Sequence, residues 1–216
     1  MLCSITKRNS LLGILVFVFC LLTSETAADM LPYGVAAGDT NLAFTCDDCF
    51  TSAISITGNI PFFNTTYNKF FVSANGLISF HAGISAYSPV AFPVASQPCM
   101  CAYWADLDFR SGTPGSFYRI IYGPTSMDTR IAESFGGTFT SQISIIVTWA
   151  NVGYYSSRID KLNTLQLELH TDGRSTFVCF NYPTNGINWT TGDASGGSGG
   201  LGGTPAQVGF DAGDGV

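Results

Sequence analysis

Residues 163–182, NTLQLELHTDGRSTFVCFNY, contain the pattern that decides the fold of this chain. Three leucines alternate with polar residues, and Asp172-Gly173 follows where a two-residue hairpin turn requires a positive φ angle. Folding the chain about that turn predicts three cross-strand pairs: Leu169 with Thr176, Leu167 with Val178 and Leu165 with Phe180. The hairpin then has one apolar face and one polar face. Because an isolated hairpin is only marginally stable in water, a second layer must cover the apolar face.

The same two-residue period recurs along the rest of the chain. Ile143, Ile145, Val147 and Trp149 form one such series. Strands are also predicted at residues 52–57, 70–73, 77–80, 100–104, 116–122 and 207–211, with a second hairpin turn at 75–76. Between residues 125 and 135 the apolar side chains recur every four positions, which predicts one short helix. The sequence therefore predicts a mainly β chain, a two-layer antiparallel β-sandwich with one short helix.

The first residues predict the compartment. Lys7-Arg8 precede an apolar run at 11–22, and small or polar residues follow up to Ala28. This order is typical of a secretory signal peptide, here residues 1–28, and the apolar run is short for a membrane span. We therefore expect residues 29–216 to be secreted and extracellular, with no membrane insertion after signal cleavage.

The charge balance argues against one class of partner. The chain contains nine Lys and Arg and 15 Asp and Glu residues, of which Lys7, Arg8 and Glu25 belong to the predicted signal peptide. Seven basic and 14 acidic residues remain, a formal net charge of −7. Nucleic-acid-binding domains are basic instead, because they neutralise phosphates. We expect no nucleic-acid partner.

Five cysteines remain after removal of the signal peptide: Cys46, Cys49, Cys99, Cys101 and Cys179. Outside the cell this count predicts two disulfides of undetermined pairing, with one further cysteine either free or bonded to another chain. A zinc site built from Cys46-x2-Cys49 and Cys99-x-Cys101 is the alternative. It is disfavoured because the second pair lacks the two-residue spacing usual in structural zinc sites.

Short motifs in a fixed order extend over almost all of residues 29–216. They are YG at 33–34, GD at 38–39, FF at 62–63 with Tyr67, VSANGLISF at 72–80, WADLD at 104–108, YR at 118–119, VTW at 147–149 with VG at 152–153, NTLQL at 163–167, TDG at 171–173, FNY at 180–182, INW at 187–189 and AQVGF at 206–210. No single motif is specific. As an ordered set they resemble the nidogen-like extracellular domain, called NIDO, as in nidogen, alpha-tectorin and mucin-4.

The resemblance implies a non-enzymatic module of matrix and cell-surface proteins, associated with cell-matrix adhesion. Its partners are expected to be extracellular-matrix or cell-surface proteins and glycoproteins. Family members continue beyond the position of Val216 into another strand and further modules. Residues 29–216 are therefore expected to form a C-terminally truncated NIDO-like domain.

Catalytic patterns in the sequence are weak. Gly-Gly-Ser198-Gly-Gly matches a nucleophile elbow, but a Gly/Ser tract matches such patterns by chance and lacks the flanking strand and helix. His170 is predicted opposite Ser175 on a solvent-facing side of the hairpin, where no third group orients the pair. His81 is predicted in a loop. We therefore expect no enzyme activity.

Asp106 and Asp108 are the candidate metal ligands. Alternate residues of a strand point the same way, so the two carboxylates can face one cation, for which calcium is the natural choice outside cells. Further acidic oxygens are available only if the fold brings in Asp47, Asp48, Asp211 or Asp214. The alternative is that the two aspartates accept hydrogen bonds from loop amides and from Arg110 or Arg119.

Two sequons predict N-glycans, at Asn64 in NTT and at Asn188 in NWT. At the second, the alternative is that Trp189 packs inward and shields the site. A second class of function also stays open, a calcium-dependent glycan-binding β-sandwich. It would use Asp106 and Asp108 for the metal, and Tyr154 and Tyr155 as exposed rings on which sugars stack.

Overall fold

The computed structural model describes residues 2–7, 30–94 and 96–216, with only the backbone described for 2–7. Most of the predicted signal peptide, residues 8–28, lies outside the described residues. The strands are β1 (Leu2–Lys7), β2 (Thr40–Asn41), β3 (Ile54–Phe62), β4 (Thr65–Val72), β5 (Leu77–Ser79), β6 (Cys99–Trp104), β7 (Leu107–Asp108), β8 (Gly115–Tyr122), β9 (Ile143–Tyr154), β10 (Arg158–Thr171), β11 (Ser175–Asn181) and β12 (Gln207–Asp211). The helix is α1 (Met127–Phe135).

The strands form two antiparallel sheets. A seven-stranded sheet has the order β1-β11-β10-β9-β8-β2, with β7 beside β9, and a five-stranded sheet has the order β12-β6-β5-β4-β3. The predicted β-sandwich with one short helix is confirmed. None of the helices among the described residues has the length and apolarity needed to cross a bilayer.

The core lies between the two sheets. The leucines of the deciding segment, Leu165, Leu167 and Leu169, are completely buried, and they pack in one cluster with side chains of the five-stranded sheet. Each fully buried side chain of this size contributes about 1.5–3 kcal/mol. Trp149 of β9 spans the two layers, because its indole Nε1 donates to the Ser73 carbonyl at 2.8 Å. The apolar face is thus buried as the alternation predicts.

The register of the β10–β11 hairpin differs from the prediction by two residues. Thr171 pairs with Thr176 and Leu169 with Val178, so the two-residue turn is Gly173-Arg174 rather than Asp172-Gly173. Gly173 has φ +83°, as the first central residue of a type II′ turn requires. The Asp172 carboxylate accepts the amides of Arg174 and Ser175, which fixes the turn at this position. Since side chains alternate with a period of two, a shift of two residues leaves every side chain on its predicted face.

The outer face of β10 and β11 is also covered, although the sequence predicted that it faces solvent. The α1 side chain Phe135 stacks on Phe177 of β11 at 5.4 Å between ring centroids. Near the other end, the Gln166 amide exchanges two hydrogen bonds with the backbone of Leu31. His170 between them is completely buried, so its prediction as a surface residue was wrong.

The loop between β4 and β5 positions part of the candidate site. Its last residue, Gly76, has φ +78°, and a Cβ there would lie 2.2 Å from the Tyr103 carbonyl oxygen. Only glycine therefore allows this close approach. The preceding Asn75 is buried, and its side chain donates to the Asp48 carboxylate and accepts the Leu107 amide. The loop thus connects the segment before β3 to the start of β7.

Candidate functional site

The two predicted metal ligands are both buried, but their surroundings differ. Asp108 accepts hydrogen bonds from the Arg110 side chain, the Arg110 amide and the Ser157 amide at 2.5–2.9 Å. Burial alone would raise the pKa of Asp108, but the hydrogen bonds from Arg110 and Ser157 outweigh it and lower the pKa. Asp108 therefore makes the contacts to Arg110 and to loop amides that the alternative interpretation describes. Arg119 instead bonds Asp39 at 2.6 Å.

Asp106 differs from Asp108 in its hydrogen bonding. Its side chain is buried, and neither of its carboxylate oxygens has a hydrogen-bond partner among the described residues. Two further carboxylates face it. Asp47 and Asp48 lie in the short loop closed by the disulfide Cys46–Cys49, and one oxygen from each of the three aspartates lies within 4.8 Å of the others. We call Asp47, Asp48 and Asp106 the acidic cluster.

The electrostatics of the acidic cluster oppose full ionisation. Desolvation, followed by the charges of Asp47, Asp48 and Asp108, raises the pKa of Asp106 to about 7. Desolvation and the charges of Asp108 and Asp48 raise the pKa of Asp47 to about 6, although Arg110 acts against this shift. Arg110 lies 2.9 Å from Asp47 and bonds Asp108 as well, so its one positive charge is shared between two carboxylates.

A second group of buried polar side chains surrounds His170. Its Nδ1 lies 2.8 Å from the Ser144 hydroxyl, and its Nε2 lies 3.1 Å from the Glu168 carboxylate. We call these three residues the polar network. The predicted neighbour Ser175 was wrong, because β10 pairs His170 with Ser144 of β9 and with Phe177 of β11. A serine, a histidine and a carboxylate linked in this order by hydrogen bonds resemble the catalytic triad of a hydrolase. All three residues, however, are at most 1% exposed.

Comparison of the sequence with known protein families identifies the family of this chain. A family model for the nidogen-like domain matches residues 68–216, more than half of the chain. The chain belongs to the nidogen-like (NIDO) domain family. The match begins in β4 and includes Asp106 of the acidic cluster, the whole polar network and the strands of both sheets from β5 onward.

Relatives of this NIDO domain are large extracellular proteins. Alpha-tectorin of Mus musculus is 36% identical over 217 residues, which cover 95% of this chain and 10% of the tectorin. Nidogen of Drosophila melanogaster is 31% identical over 175 residues, 78% of this chain and 13% of the nidogen. Mucin-4 of Homo sapiens is 27% identical over 208 residues, 88% of this chain and 4% of the mucin. No solved structure matches the chain at a significant level.

The comparisons thus identify an extracellular-matrix module whose relatives are structural proteins and not known enzymes. The chain spans about a tenth of the length of the tectorins that it matches.

The cysteines of the NIDO domain lie in three places. Cys46 and Cys49 form a disulfide, which takes two of the four thiolates that the zinc alternative requires. Cys99 and Cys101 are both buried on the outer side of β6, with their sulfur atoms 3.8 Å apart. Cys179 is buried beneath α1, in a cluster with Met127 and Ile131.

The two sequons differ in their surroundings. Asn64 is exposed at the tip of the β3–β4 hairpin, between Phe62 and Thr65. Asn188 is also exposed, but its Nδ2, the atom that would carry a glycan, donates to the carbonyls of Leu162 and Asn185. Trp189 is completely buried, as its alternative role at this sequon requires.

The aromatic pair proposed for sugar stacking is only partly accessible. Tyr154 is 1% exposed, so its prediction as an exposed ring was wrong; its hydroxyl donates to Asp160, and its ring packs on Trp189. Tyr155 is half-buried, with the Arg110 guanidinium 5.5 Å from its ring centre. A groove of about 540 Å³ does lie nearby, lined by residues of β10 and of the loop before Trp189, including Ile159, Lys161 and Asn188.

Sequence reasoning missed the partners of His170 but named those of Asp106. Ser144 and Glu168 are ordinary polar residues of alternating strands, and only the strand order places them on either side of His170. Asp47 and Asp48 were expected to contribute only if the fold brought them close. The disulfide that closes their loop could not be assigned from the sequence, which left the cysteine pairing open. Asp211 and Asp214, the other acidic candidates, instead accept amides of the C-terminal turn.

Proposed function

We propose that this NIDO domain is a secreted recognition module that mediates cell-matrix adhesion and has no catalytic role. In this proposal, residues 1–28 are removed as a signal peptide, so the secreted protein loses β1 and β11 becomes an edge strand of its sheet. The partners are extracellular-matrix or cell-surface proteins and glycoproteins. Membership of the family supports it, as does the identity to alpha-tectorin and nidogen. N-glycans at Asn64 and Asn188 are part of the same proposal.

One observation carries the non-catalytic part. The polar network is the arrangement that most resembles a catalyst, and its serine is completely buried in β9, the central strand of the path β10-β9-β8. A nucleophile must be accessible to its substrate, whereas the Ser144 side chain is completely buried. Its hydrogen bond to His170 is therefore best explained as the satisfaction of buried polar atoms.

The exposed face of the β3–β4 hairpin is the surface that we propose for recognition. The outer face of the seven-stranded sheet is covered by α1 and by residues around Leu31, and β5 and β6 are covered by a loop that contributes Ile84 and Val94. On β3, by contrast, Ser55, Thr57 and Asn59 remain exposed. This sheet surface is free to contact another macromolecule.

The test is cell adhesion to the immobilised protein, produced by secretion from a glycosylating cell line. We expect cells to attach and spread on the native domain far more than on the heat-denatured domain. Attachment that is equal on both would overturn the adhesion role.

A glycan placed on the proposed face locates the contact. Ser55→Asn creates a sequon with Ile56-Thr57 at an exposed position, and its occupancy is read from a gel shift. We expect the added glycan to abolish attachment. The matched control is Ser55→Asn combined with Thr57→Ala, which keeps the same side chain but removes the sequon and should attach normally.

The absence of chemistry is tested separately. Ser144→Ala should leave attachment unchanged, and neither protein should hydrolyse a panel of activated esters. Ester hydrolysis by the wild type that is lost in Ser144→Ala would overturn the non-catalytic proposal. In the glycan-binding alternative, Tyr154 can no longer serve as a stacking ring, because it is buried. A signal on a glycan array would support that alternative.

A further inference from the structure

The acidic cluster contains an arrangement that hydrogen bonding does not explain. Asp106 is 1% exposed, and both of its carboxylate oxygens, together with one oxygen of Asp47, are buried without a hydrogen-bond partner among the described residues. A carboxylate removed from water without donors or a counter-charge is strongly destabilising. Buried polar groups in native proteins are nearly always satisfied, so such a group requires a specific partner.

Protein donors near the acidic cluster are directed elsewhere. Arg110 bonds Asp108 and the other oxygen of Asp47, and the Asn75 amide donates to Asp48. Arg110 thus contacts two of the four carboxylates formed by the acidic cluster and Asp108. The local charge is negative, and the buried Asp106 carboxylate receives no hydrogen bond from the described protein atoms.

The distances fit one bound cation. Calcium binds oxygen ligands at about 2.3–2.6 Å, so two oxygens on opposite sides of one ion lie about 4.6–5.2 Å apart. The ligand oxygens of Asp47, Asp48 and Asp106 all lie within 4.8 Å of one another. All three can therefore contact a single ion. Hard carboxylate oxygens favour calcium or magnesium over the softer transition metals.

Gly192 allows Asp106 to occupy this position. A Cβ on residue 192 would lie 2.5 Å from the Asp106 Cβ and 2.7 Å from its Oδ2. Gly192 has φ −73° and ψ 158°, a conformation open to any residue, so here the glycine provides space for the carboxylate rather than an unusual backbone angle.

We propose that the acidic cluster is a calcium-binding site, with Asp106 as the central ligand and Asp47 and Asp48 as the ligands from the disulfide loop. The ion neutralises the buried carboxylates and links the loop at 46–49 to the β6–β7 junction. Calcium requires six to eight oxygens, so water or carbonyl oxygens complete its coordination. Asp108 is not a ligand, because Arg110 and two amides occupy its oxygens.

Calcium titration of the whole secreted protein tests the proposal. The protein is stripped with chelator and desalted, and the melting temperature is followed during titration with calcium chloride up to roughly 10 mM, above the about 0.1–1 mM dissociation constants of extracellular calcium modules. We expect a saturable rise in melting temperature that excess chelator reverses. Isothermal titration should give one ion per chain.

The variants separate this site from unspecific binding to an acidic protein. Asp106→Asn should lower the calcium affinity by at least about 10–100-fold, the loss found when even an indirect partner of a metal ligand is removed. Asp108→Asn is the matched control, the same change two residues further on, and should keep the wild-type titration. Asp48→Asn, at a half-buried loop position, repeats the test at low risk to folding.

Three results would overturn the proposal. The first is no change in melting temperature or heat over the whole titration. The second is an equal response in the wild type and in both Asp106→Asn and Asp48→Asn. The third is an equal response to magnesium at the same concentrations, which would remove the assignment to calcium. Cell attachment is not measured here, so failure of this site and failure of the adhesion role are distinguishable.

Discussion

The polar network is a buried group and the acidic cluster has the buried Asp106 at its base, yet the two groups differ in how their hydrogen-bonding capacity is used. In the polar network, Ser144, His170 and Glu168 bond one another, and Glu168 also accepts the Asn181 amide. In the acidic cluster, Asp106 has no partner among the described residues. Residue type alone would assign function to the first group. Because its hydrogen bonds are made within the protein, the polar network has a structural role. The acidic cluster, in which Asp106 makes no such bonds among the described residues, is the group that we propose binds a ligand.

The largest expected effect comes from breaking the polar network. Glu168→Ala removes the acceptor of both the His170 Nε2–H and the Asn181 amide, since a carboxylate can only accept. Each buried donor left without a partner costs about 1–3 kcal/mol, so we expect a loss of about 2–6 kcal/mol in the free energy of unfolding. Urea denaturation measures it. Glu168→Gln, which keeps one acceptor oxygen, is the control and should lose clearly less.

The corresponding change in the acidic cluster should have the opposite sign. Asp106→Asn removes a charge that burial and three neighbouring carboxylates disfavour. In calcium-free buffer at pH 8 we expect the variant to be more stable than the wild type by about 1–3 kcal/mol. The full pKa shift would correspond to about 4 kcal/mol, but the new amide would also find no hydrogen-bond partner among the described residues, which offsets part of the gain. A destabilised Asp106→Asn protein would contradict the difference between the two groups.

The pH dependence of stability tests the same property of the acidic cluster in the wild-type protein. The pKa of Asp106 is raised from 3.8 in the unfolded chain to about 7, so between these values the folded protein binds the extra proton. Stability must then fall as pH rises through this window. In calcium-free buffer we expect the wild type to gain about 1–2 kcal/mol from pH 8 to pH 6, since one pKa unit is about 1.4 kcal/mol. Chemical denaturation at each pH measures the slope, and Asp106→Asn should flatten it.

The features that follow from local periodicity could be predicted from the sequence. The alternation at Leu165, Leu167 and Leu169 predicted the buried face, and this held although the register was wrong by two residues. The carboxylate of Asp172 selects the turn, and the alternation of side chains cannot reveal that choice. A register error of one residue would have turned the leucines outward, whereas an error of two preserves the face.

The features that depend on distant segments could not be predicted. The polar residues on the outer face of β10 predict that it faces solvent, but α1 and the backbone of Leu31 cover this side of the sheet. The acidic cluster joins Asp106 to residues almost 60 positions earlier, through the disulfide loop. The spacing of Asp106 and Asp108 predicted that both bind one metal ion. In the structure Arg110 bonds Asp108 and Asp47 but not Asp106, so the two aspartates have different surroundings.

The smallest expected effect concerns Asp108, and it tests directly whether Asp106 and Asp108 have different roles. Asp108→Asn weakens the charge-assisted bonds to Arg110, whose side chain is 40% exposed, so solvent screens much of the attraction. One oxygen remains to accept the Ser157 amide. We therefore expect a loss of about 1 kcal/mol in urea denaturation, where Asp106→Asn shows a gain. Two aspartates separated by one residue would then shift stability in opposite directions, because the described part of the chain supplies donors to Asp108 and none to Asp106. Shifts of the same sign would mean that the two carboxylates act as one site, as their spacing alone suggests.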